Sequence, residues 1–476
     1  MICLNDRRQI FIGWTMDARQ DEMMTRFFFE NALLPDGWAK NVLTETDGSG
    51  WITSVMVNSI LDRPDHRAAI AVPGVPNCHS HAFQRAMAGL AEFRSQSVDS
   101  FWTWRDLMYR FVDKLTPEDL AAIAAQAYME MLEAGFTAVA EFHYLHHAPD
   151  RRPFDDVGEM SGGIIQAVQQ TGIGLTLLPV FYECSGFGSM VPDPAQGRFV
   201  NTLHRYGQLI ERTLSMMKDL PDAVMGLAPH SLRAVTPEGL NGMLSLPCAG
   251  AIHIHIAEQV REVDECLAWY GARPVAWLLD NFPVDERWCL VHATHLDRME
   301  IRQLANSGAV VGLCPITEAN LGDGIFEAVS FFDQGGLIGI GSDSNIAIGV
   351  ADELRLLEYS QRLRDHGRNR LAAEGQSSGR TLFDHALKGG AKAGDRRSGR
   401  IEVGYRADFV SLDQDHPDLL SRQGDAWLDG WIFAGGNNVV KDVWVGGRHV
   451  VRDGLHFARN GIALEYAKIL SRIVTS

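Results

Sequence analysis

The run Ala69-Ile70-Ala71-Val72-Pro73-Gly74-Val75-Pro76-Asn77-Cys78-His79-Ser80-His81 decides how the rest of the chain is read. Its apolar start and tight Pro-Gly-Val-Pro lead into an extended segment. Side chains two apart in such a segment project to the same side. His79 and His81 therefore point together, as two imidazoles must to grip one ion. Taken alone, the pair fits structural histidines equally well. Its meaning depends on what the later chain brings to the same place.

Downstream, apolar strands alternate with helices. Strands are expected at Thr137–Phe142, Leu175–Val180, Val224–Ala228, Ala251–Ile256, Cys289–His292, Ala309–Leu313 and Leu337–Gly341. Helices are expected at Gly207–Leu220, Val260–Tyr270, Arg298–Asn306, Asp352–Arg364 and Leu382–Ala393. A further helix opens at Thr116-Pro117-Glu118-Asp119, with a cap, Pro at N1 and two acids in the first turn, and closes at Gly135. Asp297 with Glu300 makes a capping box. Eight near-continuous apolar strands between helices mean parallel strands buried on both faces. The count favours a closed (β/α)8 TIM-type barrel, α/β in class, over an open doubly wound sheet. No Gly-x-Gly-x-x-Gly follows the first strand, which argues against a dinucleotide fold.

The barrel is assigned to 73–396. Residues 24–72 and 397–460 are β-rich and are expected to pair into one small composite β-sandwich domain from both chain ends. Its strands include Trp51–Val55, Ala68–Val72, Gly404–Val410, Val439–Val445 and, across a Gly446-Gly447 turn, Arg448–Val451. Residues 1–23 read as a disordered extension or an upstream start, 366–380 as a mobile polar loop, and 461–476 as a C-terminal segment.

The sequence has 476 residues and a formal net charge of −17. That charge argues against nonspecific nucleic-acid binding and against an anionic membrane surface. It also gives an acidic substrate no global attraction, so local arginines would have to capture one. Seven scattered cysteines without Cys-x-x-Cys fit a reduced, cytoplasmic protein. No apolar run reaches the roughly 20 residues that cross a bilayer.

At a barrel mouth the C-terminal strand ends converge. His79 and His81 end the first strand, His230 and Arg233 follow the fourth, and His255 and Glu258 follow the fifth. His292 ends the sixth, and Ser342-Asp343 ends the eighth. Three imidazoles and a carboxylate, His79, His81, His255 and Asp343, suit one borderline divalent ion such as Zn²⁺. No lysine ends strand four to bridge a second ion. Such an ion would activate water. Asp343 would take its proton, Glu258 would relay it to a leaving nitrogen, and His292 would bond the developing tetrahedral centre. The competing readings are a surface acid for Glu258 and a structural histidine or fifth ligand for His292. His253 reads as a core histidine one layer deeper, His295 as a cap or surface residue, and His143, His146 and His147 as solvated loop residues.

With these residues in place, the chain resembles the amidohydrolase superfamily in its mononuclear deaminase branch, over about 24–460. Pro73-Gly74, His79-x-His81, His255-x-x-Glu258, His292 and Ser342-Asp343 carry that resemblance. A narrower one, to the formimidoylglutamate deiminases of histidine degradation, rests on Ser100–Arg105, Glu141-Phe142-His143-Tyr144, Ala228–Arg233 and Cys314–Gly324. It implies hydrolysis of N-formimidoyl-L-glutamate to N-formyl-L-glutamate and ammonia, one Zn²⁺ per subunit, and a homodimer. For a small substrate with two carboxylates, Arg105 and Arg233 are the candidate cations, since a guanidinium fork matches a carboxylate. Gln84, Tyr144 and His230 are further donors, and Trp102 and Trp104 candidate walls. A surface salt bridge is the competing reading for Arg105. Two alternatives remain open: a deaminase of aromatic bases or nucleosides, and a catalytically inactive barrel scaffold.

Overall fold

Alternation of buried strands with amphipathic helices produces the expected barrel in the computed structural model. It describes residues 24–60, 63–94, 101–220 and 222–475. The extension expected at 1–23 lies outside the described residues. Strands β1 (Thr25–Leu34), β2 (Gly37–Thr46), β3 (Ile52–Met56) and β4 (His66–Pro73) open the described chain. The barrel strands follow as β5 (Val75–Ser80), β6 (Phe136–His143), β7 (Gly174–Phe181), β8 (Val224–Met225), β9 (Ala228–Pro229), β10 (Ile252–Ile256), β11 (Trp288–His292), β12 (Val310–Leu313) and β13 (Leu337–Ile340).

Two parallel sheets, β5 through β9 and β10 through β13, are joined at both seams. At one seam Asp343 N–H donates to the His79 carbonyl at 3.0 Å, and His81 N–H donates to the Asp343 carbonyl at 2.9 Å. At the other, Leu227 N–H donates to the Ala251 carbonyl at 2.9 Å, and His255 N–H to the His230 carbonyl at 3.1 Å. The first seam thus welds the backbones of two histidines to that of the aspartate they are meant to share a ligand with.

The fourth barrel strand was expected to run unbroken over Val224–Ala228; it is split into β8 and β9 around Gly226 and Leu227. The backbone there lies so close to its neighbours that a Cβ on Gly226 would sit 2.5 Å from the Ala251 carbonyl oxygen. The helix expected at Gly207 begins at Leu203, because the Thr202 side chain accepts the Arg205 N–H and caps it earlier. The polar loop after His366 ends at Ser377, whose hydroxyl caps helix Ser378–Ala393.

The chain ends supply one further sheet. Strands β14 (Phe409–Leu412), β15 (Val440–Val445), β16 (Arg448–Arg452) and β17 (Leu455–His456) join β1–β4 in the order β17-β16-β15-β14-β4-β1-β2-β3. The strand expected from Gly404 begins only at Phe409, since 404–407 turn to meet β3. Ile52 N–H donates to the Tyr405 carbonyl and Gly404 N–H to the Ile52 carbonyl, both at 2.9 Å. One ladder therefore curls over onto itself, rather than pairing as two separate sheets. It encloses a core of Phe27, Phe29, Val42, Ile52, Phe409 and Trp444. The segment after 460 is helical, Arg459–Thr475, and packs on helix Pro117–Glu133.

Helix Ser378–Ala393 lies against β13 and β5 at the closing seam. Gly389 and Gly390 allow the approach. A Cβ on Gly389 would sit 1.8 Å from the Ile338 carbonyl oxygen, and one on Gly390 2.5 Å from that of Pro76. Backbone cannot give way as a side chain can, and overpacking of this kind costs about 1–3 kcal/mol or more. Gly389→Ala is therefore expected to lower the urea midpoint by an amount worth at least about 2 kcal/mol. A variant as stable as the parent would contradict this account of the seam.

Candidate metal centre and pocket

Strand ends place the polar groups at one mouth. His79 and His81 leave β5 on the same face. His79 Nε2 lies 3.3 Å from His81 Nε2 and 3.0 Å from His255 Nε2. Asp343 Oδ1 lies 3.6 Å from His79 Nε2 and 3.3 Å from His81 Nε2. All four residues are at most 5% exposed.

Backbone carbonyls decide how two of the rings present themselves. His81 Nδ1 is 2.9 Å from the Phe142 carbonyl and His255 Nδ1 is 3.1 Å from that of His230. A carbonyl only accepts, so both Nδ1 atoms carry the proton and both Nε2 atoms present lone pairs. Between them, His79 Nε2 has at most one proton to share. Burial, followed by neighbouring imidazoles, holds His79 and His255 well below the ordinary histidine range, and burial takes His81 to about 3. Neutral nitrogens converging beside a carboxylate are a donor set that a divalent cation fits.

His292 faces this group across Asp343. Its Nε2 is 3.6 Å from Asp343 Oδ2 and 3.8 Å from Glu258 Oε1, and its Nδ1 is 3.3 Å from Glu318 Oε1. Burial alone would favour neutral imidazole, but Glu258, Glu318 and Asp343 together raise it to about 10. His292 is thus a cation among three acids. Burial raises Glu258, against the pull of His292 and Arg233, and takes Asp343 to about 6. Cys314 also comes within 4.8 Å of His292 and Asp343, but burial pushes its thiol well up.

Two of these residues hold unusual backbone. His292 has φ +68° and Asp343 +42°, the left-handed region that non-glycine residues avoid. The cost is met by specific bonds. Asn345 Nδ2 donates to Ser80 Oγ and the His81 carbonyl at 3.1 Å and to the Asp343 carbonyl at 3.0 Å, while its Oδ1 accepts from Ser342 Oγ at 2.6 Å. Such strain clusters at functional sites.

The same mouth carries a pocket whose wall includes His81, His255, Glu258, His292 and Asp343 together with Gln84, Arg105, Tyr144, His230 and Arg233. Every residue expected to hold substrate is on that wall. Gln84 Nε2 donates to Tyr144 Oη at 2.9 Å and leaves its Oε1 buried without a partner. Burial, then Arg233, keep His230 neutral. Trp104 lines the pocket, whereas Trp102 stands behind it under arginine side chains. Arg105 makes no surface salt bridge among the described residues; its guanidinium lies 4.5 Å from the Trp102 ring centre and its Nε is buried without a hydrogen bond.

Other expectations are corrected. His143, His146 and His147 are buried, not solvated, and the last two bond the Val180 and Val200 carbonyls. His295 is half-buried in the loop after β11. His253 is a core histidine as expected, bonded to the Ala393 carbonyl at 2.7 Å. Three positioning acids were given no role in the sequence reading. Glu262 accepts the Ala257 and Glu258 N–H groups and stands 3.8 Å from Arg233 Nε. Glu318 accepts the Cys314 N–H and orients His292. Glu141 accepts the Ala82 N–H and so ties the turn after His81 to β6.

Comparison with known proteins agrees with this geometry. The chain is 50% identical over 457 residues to a formimidoylglutamate deiminase of Pseudomonas aeruginosa, covering 95% of this chain and 100% of that one. It is 28% identical to a 5-methylthioadenosine/S-adenosylhomocysteine deaminase of Natronomonas pharaonis, covering 87% of this chain and 88% of that one. The crystal structure of an amidohydrolase from Brucella melitensis superposes with a TM-score of 0.91 at 49% identity, covering 94% of this chain and 100% of that one. Residues 70–450 match the sequence model of the amidohydrolase family, and with half the sequence shared across a full-length relative, the chain belongs to that family.

Proposed function

We propose that this protein is a hydrolytic deiminase that converts N-formimidoyl-L-glutamate and water to N-formyl-L-glutamate and ammonia, using one Zn²⁺ held by His79, His81, His255 and Asp343. One observation carries the reading. A buried cluster of metal-type donors and two arginines share a single pocket, the donors at its base and the arginines on its wall. The full-length relative bearing that activity in its name supports it.

When bound, the ion supplies Lewis-acid activation of water at neutral pH. The remaining work falls to the side chains. Arg105 and Arg233 hold the two substrate carboxylates and so aim the formimidoyl group at the base. Asp343 accepts the proton of the attacking water. Burial raises Glu258, which favours its holding a proton and delivering it to the departing nitrogen. His292, kept cationic by its three acids, donates to the reacting centre. Glu262 keeps Arg233 aimed and charged: burial alone would pull the guanidinium down, and Glu262 with Glu258 raises it.

Ammonia release from formimidoylglutamate, compared with guanine, cytosine and adenosine derivatives, tests the substrate. Turnover of the bases alone would overturn the assignment. Glu258→Gln is expected to retain the metal by elemental analysis while kcat falls by about 10²–10⁴. Near-normal turnover would remove Glu258 from the proton path. Arg233→Met is expected to raise KM by at least about tenfold with a smaller change in kcat. An unchanged KM would mean that the carboxylate is held elsewhere.

A further inference from the structure

Three guanidinium groups crowd one indole. The Arg261 guanidinium carbon lies 4.4 Å from the Trp102 ring centre, that of Arg105 4.5 Å and that of Arg233 5.8 Å. All fall within the roughly 6 Å over which a cation is drawn to an aromatic face. They come from three parts of the chain: the helix Phe101–Val112, the segment after β9 and the helix Val260–Tyr270. Trp102, Arg105 and Tyr109 are spaced three and four apart on one helix, which puts them on one face. Arg105 lies between the two rings, 5.4 Å from Tyr109.

Like charges gathered this closely repel one another, and the chain supplies little to offset them. Among the described residues, Arg233 has Glu262 at 3.8 Å and Arg261 has Glu265 at 2.6 Å. Among the described residues, Arg105 has no carboxylate within ion-pair distance. Among the described residues, Arg105 thus brings a guanidinium without a carboxylate partner to the pocket of a protein whose net charge is −17. An anion entering there would be drawn to it, and one with two carboxylates would reach more than one guanidinium.

We infer that Trp102 is a positioning residue that holds Arg105 and Arg233 at carboxylate-binding separation. Arg261 is the outermost cation of the same stack, and together they select dianionic over monoanionic ligands. The identity of the dianion rests on the deiminase reading; the selection itself does not. Arg261, with its side chain 60% exposed, meets the ligand first, and its contribution is the one salt can screen.

The test is equilibrium binding of glutarate and of butyrate to the metal-loaded protein by calorimetry, together with steady-state kinetics. The parent should bind glutarate at least about tenfold more tightly than butyrate. Trp102→Leu should weaken glutarate about tenfold and butyrate by less than about threefold, and Trp102→Phe, which keeps an aromatic face, should recover most of the loss. Arg261→Gln should weaken glutarate about threefold at low ionic strength, with the difference shrinking in high salt. With formimidoylglutamate, Trp102→Leu should raise KM about tenfold while kcat falls less than about threefold. Equal losses for both ligands, no rescue by phenylalanine, or a parent indifferent to the second carboxylate would each overturn the inference. A parent that binds glutarate selectively but releases no ammonia from formimidoylglutamate would overturn the deiminase reading and leave the stack standing.

Discussion

Three imidazole nitrogens gathered around His79, with the Asp343 carboxylate 3.3 Å from His81 Nε2 and 3.6 Å from His79 Nε2, all out of water, form the constraint on which the rest depends. Two of those nitrogens present lone pairs, because the one proton of each neutral ring sits on Nδ1 against a backbone carbonyl and burial disfavours adding a second. The third cannot satisfy both. Such an arrangement is unfavourable without a cation and strongly favourable with one, since buried polar groups must be paired. It persists because the scaffold around it is rigid. Hydrogen bonds at the β5–β13 seam, the four-way clasp of Asn345 and the close docking of Gly389 and Gly390 all fix the same few ångströms of backbone.

From that centre outward, charge is laid down in shells of alternating sign. Acids flank the three imidazoles: Asp343 beside His79 and His81, then Glu258 and Glu318 on either side of His292. Beyond Glu258 come Glu262 and Arg233, and beyond Arg233 the indole of Trp102 with its other guanidiniums. An acidic protein can in this way present a cationic pocket without cationic surroundings. Placing the cations on the wall and the acids at the base also orients a substrate that is anionic at one end and cationic at the other.

The fold was legible because it rests on periodicity. Eight apolar strands alternating with helices announce a parallel barrel whatever their chemistry, and the cap at Thr116 and the capping box at Asp297 mark helix starts that the structure reproduces. The site was legible because strand ends converge in such a barrel, so position along the chain became position in space. What stayed hidden depended on contacts between distant segments. Gly226 and Gly389 look unremarkable until the backbone beside each is known. Loop histidines such as His146 read as solvated because nothing local shows the carbonyl of Val180 that receives them. Arg261, an ordinary helix-surface arginine by spacing, gains its meaning from an indole about 160 residues earlier.

The left-handed backbone at His292 and Asp343 links these levels. A strand that simply continued would carry its next side chain to the opposite face, away from the barrel axis. Turning the chain at that residue keeps the side chain over the mouth and frees the following segment to become a loop. The conformational cost is repaid by the surrounding hydrogen bonds rather than by the residue itself, which is why the clasping asparagine and the orienting glutamates belong to the site as much as the groups that touch substrate. Ala257 and Ala293 adopt the same rare conformation at the ends of β10 and β11. The device is thus repeated at the strand ends carrying Glu258, His292 and Asp343, and it accounts for how short parallel strands deliver three polar side chains to one mouth.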